Sequence, residues 1–369
     1  MQTPFFDRKT TGILKGIALC LMFWHHFFTL PEFWEGSVYY PLLEKLAPYF
    51  AEPCKICVPI FCFLSGYFYY YNPAKNYRYS LRKITDILLT YWAVFLLFAL
   101  LAVLAAHYRY TPSELFRELF ALGERPTMRF CWYVPFYILF LLLLPLLARC
   151  MGKHFLWDSL LSFLLLPLLL MGAAHFIPEA SLADAFDDLR QWFPCVLAGY
   201  ICAAYSLLEK TDALVRRILP QRGGRLAVCL LAVLLIPMGR YLCPELVLRS
   251  PALPLLRKSY SFRLRLDILY APLYIAALIE LVRALPWRRI QRVLELIGKY
   301  SLWMWFVSCI FFNNAASVFQ PLLYFPRFPP LVFLWGLVLC GGLSFLLERI
   351  VSPLTKAKNR LLFSDGGTK

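Results

Sequence analysis

Two adjacent histidines, His25 and His26, lie within an apolar run near the start of the chain, TGILKGIALCLMFWHHFF. If that run crosses a membrane, a histidine there is costly to bury and commonly serves function. An imidazole can act as a general base or, less often, as a nucleophile. The structural alternative is a neutral pair that bonds backbone carbonyls of neighbouring helices. We take the pair as the candidate catalytic residues.

Lys15 precedes His26 by eleven residues in the same run. At about 100° and about 1.5 Å per residue, an α-helix returns both side chains to nearly the same face, about 16 Å apart along its axis. His25 then points about 100° away from His26. The spacing therefore predicts a cation at the mouth of a cavity and a base about three turns deeper on the same wall.

This arrangement suits an elongated anionic ligand whose reactive end reaches inward. Coenzyme A thioesters have such a shape, with phosphates at one end and the acyl group at the other. The basic cluster Arg78, Arg82 and Lys83 is predicted on the same side as Lys15, where it could hold the phosphates. The alternative is that these charges only mark membrane topology.

Five further side chains are candidates for the substrate-binding wall: Ser65, Tyr67, Trp132, Tyr133 and Asp267. Ser65 and Tyr67 lie within one turn of VPIFCFLSGYFYYY, and Trp132 and Tyr133 open a later apolar run. Asp267 opens another run at roughly the predicted depth of the histidines, where a carboxylate could orient an imidazole. Helix packing and the usual interfacial aromatics are the simpler interpretations of the first four.

The chain has twelve cysteines, most of which fall inside apolar runs and are interpreted as small buried hydrophobes. Cys54 and Cys57 form a C-x-x-C pair, but no second pair or cluster of histidines completes a zinc or redox site. We therefore expect no metal at the candidate site.

The elements that position these residues are predicted to be membrane helices. The 369 residues are 60% hydrophobic and only 16% charged, which exceeds what one soluble core can bury. We predict an all-α integral membrane protein with about ten transmembrane helices in one bundle. The predicted spans are Ile13–Leu30, Cys54–Tyr71, Ile84–Ala106, Cys131–Ala148, Phe155–Ile177, Trp192–Leu208, Leu226–Cys243, Leu266–Leu285, Ile297–Phe319 and Leu331–Ile350.

The net charge of +16 is concentrated in short clusters between these runs, so it needs no nucleic-acid partner to explain it. An even number of spans and the positive-inside rule place both termini in the cytoplasm. We expect a single membrane domain over residues 1–369, with no cleavable signal peptide and a short cytoplasmic tail from about residue 351.

One basic loop breaks the alternation of charge. Arg249, Arg257, Lys258, Arg263 and Arg265 lie on the predicted outer face. The loop indicates either a miscounted span or an external anion site.

The opening segment GILKGIALCLMFWHH resembles the first helix of the membrane acyltransferase-3 superfamily, in which a basic residue, ten residues and a histidine recur. VPIFCFLSGYFYY, YRYSLRKITDILLTYW, CWYVPFYILFLLLLPLL, WFPCVLAGYICA, LDILYAPLYIAAL and IGKYSLWMWF are similar to later family segments, in family order. The resemblance covers Thr11 to Phe312. Two positions depart from the family pattern: Lys15 stands where arginine is commoner, and Ser308 stands where many relatives have a histidine.

The resemblance implies an O-acyltransferase of the plasma membrane that takes an acyl group, commonly acetyl from acetyl-CoA, to a carbohydrate or related acceptor of the cell envelope. His26 would then be the general base, and Lys15 would help to hold the CoA phosphates. Two alternatives stay open: a transporter or flippase of an anionic envelope precursor, and a catalytically impaired member that lacks the histidine at position 308. The acceptor, the acyl chain length, the direction of transfer and the oligomeric state do not follow from the sequence.

Overall fold

The computed structural model describes residues 4–38, 47–123, 126–249, 266–312 and 317–363. This part of the chain is built of helices and their connections, without a β-strand. The helices of its first half are α1 (Arg8–Phe28), α2 (Pro31–Trp34), α3 (Ala47–Ala51), α4 (Cys57–Tyr71), α5 (Tyr77–Ala106), α6 (Pro112–Leu119), α7 (Tyr133–Cys150), α8 (Phe155–Leu160) and α9 (Leu166–His175). Those of its second half are α10 (Ala180–Ala204), α11 (Leu207–Ile218), α12 (Arg222–Arg249), α13 (Asp267–Ala284), α14 (Arg288–Ser308), α15 (Gln320–Tyr324) and α16 (Pro329–Phe363).

Within the described ranges, eight helical stretches are long and apolar enough to cross a membrane. They are Arg8–Phe28, Tyr49–Tyr71, Tyr77–Ala106, Tyr133–Cys150, Phe155–His175, Arg222–Cys243, Arg288–Phe311 and Pro329–Phe363. Helices α10 and α11, bent by 70° at their junction, make a ninth if they form one broken span. The predicted all-α membrane fold is therefore confirmed, with eight or nine candidate spans where about ten were predicted.

The difference from ten arises at α13, which covers the predicted span from Leu266 to Leu285. This helix is 18 residues long and carries three charged side chains within that length, Asp267, Glu280 and Arg283. Such charges are expensive in hydrocarbon unless they find partners inside the bundle.

The start of α1 is capped by Asp7, whose carboxylate accepts the backbone N–H of Thr10 at 2.8 Å. Hydrogen bonds from the side chain and the backbone of Thr10 lower the pKa of Asp7 below its usual value. A cap of this kind satisfies a backbone donor that the helix itself cannot pair. It defines where α1 begins, and therefore how far along the helix axis Lys15 and His26 lie.

Helices α1 and α14 approach each other so closely that only glycine fits at the crossing. A Cβ atom on Gly16 would lie 2.0 Å from the carbonyl oxygen of Leu294, and one on Gly298 would lie 1.9 Å from that of Gly12. Small residues permit this approach in membrane bundles, where close packing drives helix association. The crossing holds the Lys15 turn of α1 against α14.

Helices α4 and α10 cross in the same way. A Cβ atom on Gly66 would lie 1.7 Å from the carbonyl oxygen of Val196, and one on Gly199 would lie 2.0 Å from that of Phe63. The residue before Gly66 is Ser65, a predicted wall residue. The second crossing therefore sets the position of Ser65 in the bundle.

We expect Gly16→Ala to lower the free energy of unfolding by about 1–3 kcal/mol, because the new methyl group overlaps the backbone of α14. The matched control is Gly342→Ala on α16, where a Cβ atom would meet nothing within 4 Å. Denaturant titration of both purified variants in detergent measures the difference. Equal stability of the two variants would contradict the close crossing.

Helix α16 continues well past the predicted span that ends at Ile350, and it runs to Phe363. Residues 351–363, part of the segment expected to form a short cytoplasmic tail, continue this helix. Its Lys358 ammonium contacts the Asp86 carboxylate and donates to the Thr85 hydroxyl at 3.2 Å. The end of the described chain is thereby attached to the start of α5.

Candidate active site

A cavity of about 500 Å³ lies inside the bundle and is lined by both histidines of α1. Lys15 of the same helix also lines it, as the one-face spacing predicted. Much of the remaining wall is apolar or aromatic and comes from α4, α5, α7 and α14, including Phe61, Ile87, Trp132, Tyr133 and Trp305. We call this space the deep cavity.

A second cavity, of about 890 Å³, adjoins the deep cavity at the end of the bundle where α1 begins. We call it the mouth cavity. Its basic lining residues are Arg8, Lys15, Lys83, Arg292 and Lys299, and Glu295 is its acidic one. Four residues line both cavities: Lys15, Ser65, Lys83 and Tyr137. The two spaces therefore meet at a shared wall, and the imidazoles line only the deep cavity.

His25 is anchored through one ring nitrogen. Its Nδ1 lies 3.1 Å from the carbonyl oxygen of Ala51 and 2.8 Å from the hydroxyl oxygen of Thr29. A carbonyl oxygen can only accept, so we infer that Nδ1 carries the proton. In the neutral ring, Nε2 is then the unprotonated nitrogen.

Among the described residues, His26 is held by ring packing. Its ring stacks on Phe130, with centroids 4.5 Å apart and 20° between the planes, and Phe312 approaches it edge-on. Its Nδ1 is buried and has no hydrogen-bond partner among the described residues. The centroids of the two imidazoles are 5.7 Å apart. The ring that the sequence pattern singles out is therefore the one whose Nδ1 is bound by no described residue.

Phe130 lies in the connection between α6 and α7, and polar contacts hold that connection in place. The buried carboxylate of Glu118 accepts hydrogen bonds from two backbone N–H groups of this connection, at 2.8 and 2.6 Å. Arg129 donates to Glu32 of α2 at 2.8 Å. These contacts keep Phe130 against His26 at the end of the deep cavity far from the mouth.

Comparison with known proteins assigns the chain to a family. The family model of acyltransferase-3, described as an acyltransferase domain, matches residues 12–349 of the 369. The chain belongs to the acyltransferase-3 family. No curated protein and no solved structure matches it significantly.

Only some of the predicted donor-binding residues of the acyltransferase line the cavities. Lys15 and Lys83 line both cavities, whereas Arg78 and Arg82 line neither. Arg82 is exposed, although it neighbours Lys83 in the sequence, because successive residues of α5 point in different directions.

Three basic residues of the mouth cavity were not among the predicted site residues: Arg8, Arg292 and Lys299. Arg8 and Arg292 belong to clusters that were interpreted as topology signals. No feature of the sequence pointed to Lys299. Phe130 and Lys55, which line the deep cavity, were also not predicted. Only the packing of the helices and their connections shows that these two residues lie at the site.

The predicted wall residues of the acyltransferase divide into two groups. Ser65 lines both cavities and donates to the carbonyl oxygen of Phe61 at 2.8 Å, while Trp132 and Tyr133 line the deep cavity. Tyr67 lines neither cavity; its hydroxyl oxygen accepts the backbone N–H of Phe5 at 3.0 Å. The Tyr67 phenol thus holds the N-terminal segment beside α4.

Asp267 is bound by Arg240 and not by an imidazole. The Arg240 guanidinium donates to both of its carboxylate oxygens, at 2.6 and 3.2 Å, and Asp267 is buried. This ion pair joins α12 to α13. It gives the buried carboxylate of α13 the partner that a low-dielectric interior requires.

Ser308, the position at which many relatives carry a histidine, is buried near the end of α14. Its hydroxyl donates to the carbonyl oxygen of Trp305, one turn earlier, at 2.7 Å. Trp305 lines the deep cavity and Ser308 does not. The departure from the family pattern therefore lies behind the cavity wall.

Two predictions concern a metal and an outer anion site. No group of three or more His, Cys, Asp or Glu side chains is arranged to hold a metal ion in the described ranges. Cys57 lines the deep cavity, while Cys54 donates to the carbonyl oxygen of Phe50. Of the basic loop that was predicted on the outer face, Arg249 ends α12, and Arg257, Lys258, Arg263 and Arg265 lie outside the described residues.

Proposed function

We propose that this acyltransferase is an O-acyltransferase that moves an acyl group, most simply acetyl, from acyl-CoA to a hydroxyl of a cell-envelope carbohydrate or related acceptor. The observation that supports this proposal is the shared wall between a basic mouth cavity and a deep cavity lined by two imidazoles. A donor with phosphates at one end and a thioester at the other matches that distribution of charge.

The donor phosphates would be held by Lys15 and Lys83, with Arg8, Arg292 and Lys299 completing the basic surface. The pantetheine arm would pass the shared wall at Ser65 and Tyr137. The thioester would then lie in the deep cavity among Trp132, Tyr133 and the histidines. The aromatic side chains of the cavity wall would keep water away from the thioester.

In the transfer step, the hydroxyl oxygen of the acceptor attacks the thioester carbonyl carbon while His26 accepts the hydroxyl proton. The new C–O bond forms, the C–S bond breaks, and the departing sulfur takes the proton back from His26. The products are the acylated acceptor and free CoA. His25, anchored at Ala51, would keep its ring beside His26 and complete the polar end of the cavity.

The proposed location is the plasma membrane, with both termini in the cytoplasm and the mouth cavity open to cytoplasmic acyl-CoA. The support is electrostatic, because the mouth cavity collects five basic side chains and one acidic side chain. Cytoplasmic flanks of membrane helices carry such an excess of Lys and Arg. The acceptor would enter from the opposite end, past Phe130.

The test is to supply radiolabelled acetyl-CoA to membranes that contain the protein, and to membranes that lack it, and to follow label into envelope glycans. Label that appears only with the protein supports the proposal. A protein that moves an anionic precursor across the membrane and needs no CoA would instead be a transporter, and the proposal would fail.

A further inference from the structure

The end of α16 makes a specific polar contact with the wall of the deep cavity. The Lys358 ammonium contacts the Asp86 carboxylate and donates to the Thr85 hydroxyl of the same helix, α5. The contact joins residues that are 272 positions apart in the chain. Both charged side chains are largely shielded, with 14% of the Lys358 side chain and 30% of the Asp86 side chain exposed.

Asp86 lies where its negative charge would affect the binding of a ligand in the cavities. It lines the deep cavity, and it follows Lys83, which lines both cavities, by three positions on α5. Residues three apart on a helix are neighbours, and opposite charges at that spacing attract each other. Without another partner, the Asp86 carboxylate would therefore pair with the Lys83 ammonium.

The structure shows a different pairing. Asp86 is bound by Lys358, and no ion pair of Lys83 occurs within the described ranges. The Lys83 ammonium instead lies 5.8 Å from the centroid of the Tyr79 ring. Lys358, and not Lys83, is therefore the cation beside the Asp86 carboxylate in the described ranges.

We propose that Lys358 is a positioning residue for donor binding: it engages Asp86 and so leaves the Lys83 and Lys15 ammonium groups available to the phosphates of acyl-CoA. This inference rests on the proposed function, since it needs the mouth cavity to bind an anionic donor. Lys358 lines neither cavity, so it acts through Asp86 and makes no contact with the ligand.

The expected size of the effect follows from electrostatics. A carboxylate released beside the Lys83 ammonium cancels part of its charge and repels the incoming phosphates. One unit charge at such short range, in partly shielded surroundings, changes binding by about tenfold or more. The effect should fall on donor affinity and on the KM for acetyl-CoA, with a much smaller change in kcat.

The experiment measures acetyl-CoA affinity and steady-state kinetics for four full-length proteins: wild type, Lys358→Met, Asp86→Asn and the double variant. We expect Lys358→Met to weaken acetyl-CoA binding about tenfold. In the Asp86→Asn background, the same substitution should have no further effect, because the carboxylate that Lys358 engages is gone. Asp86→Asn alone should bind at least as tightly as wild type. Lys358→Arg should restore affinity, since it keeps the positive charge.

The matched control is Lys356→Met, which removes the same charge from an exposed position two residues earlier on α16. Equal effects of Lys356→Met and Lys358→Met would overturn the inference, as would an undiminished effect of Lys358→Met in the Asp86→Asn background. The second result would mean that Lys358 binds the phosphates directly or only docks the helix. If the wild-type protein itself binds no acetyl-CoA, the proposed function fails, which is a distinct outcome.

Discussion

We expect His26→Ala to reduce acyl transfer per folded molecule by about 10²–10⁴-fold, the usual contribution of a general base. The His26 ring faces the deep cavity, and its Nδ1 makes no hydrogen bond to a described residue that a substitution would break. The substitution should therefore leave insertion, abundance and acetyl-CoA binding nearly unchanged. The measurement is the rate of transfer from labelled acetyl-CoA, normalised to the amount of correctly folded protein.

The comparison variant is His25→Asn, because an asparagine amide can still donate to the Ala51 carbonyl oxygen but offers no ring Nε2. We expect a smaller loss than for His26→Ala, since the His25 ring is held by that bond while the family pattern selects His26. A larger loss in His25→Asn would identify His25 as the base. Wild-type rates in the His26 variant would remove it from the mechanism, and loss of folded protein would make it a structural residue.

The second large effect concerns the shared wall between the cavities. We expect Lys83→Gln to weaken acetyl-CoA binding about 10- to 150-fold, because a hydrogen bond to a charged group contributes about 1.5–3 kcal/mol. Lys83 lines both cavities, so the loss should be seen directly in the acetyl-CoA dissociation constant. Equilibrium binding to the purified protein in detergent measures it.

Arg82→Gln provides the control for this prediction, since it removes a charge from the adjacent residue of α5, which lines neither cavity. We expect its acetyl-CoA affinity to stay within about threefold of wild type, as is usual for an exposed charge. If Arg82→Gln weakens binding as much as Lys83→Gln, the phosphates bind on the cluster predicted from sequence, outside the cavity. If neither variant changes affinity, these cations serve only topology.

The sequence alone determined that this protein lies in a membrane and which residues of α1 share a face. Long apolar runs bounded by basic clusters can be buried only in lipid, which is why the membrane fold could be predicted. The placement of Lys15 and His26 on one cavity wall could also be predicted, because the periodicity of an α-helix relates residues eleven apart without knowledge of any other element. Such local relations need no tertiary information.

The tertiary structure decided which charges face the cavities and which partners they have. Lys83 and Arg82 are sequence neighbours with the same charge, and only the packing of α5 turns one toward the cavities and the other outward. Asp267 was expected beside an imidazole, but α12 packs beside α13 and places Arg240 next to the carboxylate instead. The contact of Lys358 with Asp86 spans 272 residues. No local pattern encodes such pairings, because they depend on which helices the close glycine crossings and the apolar packing bring together.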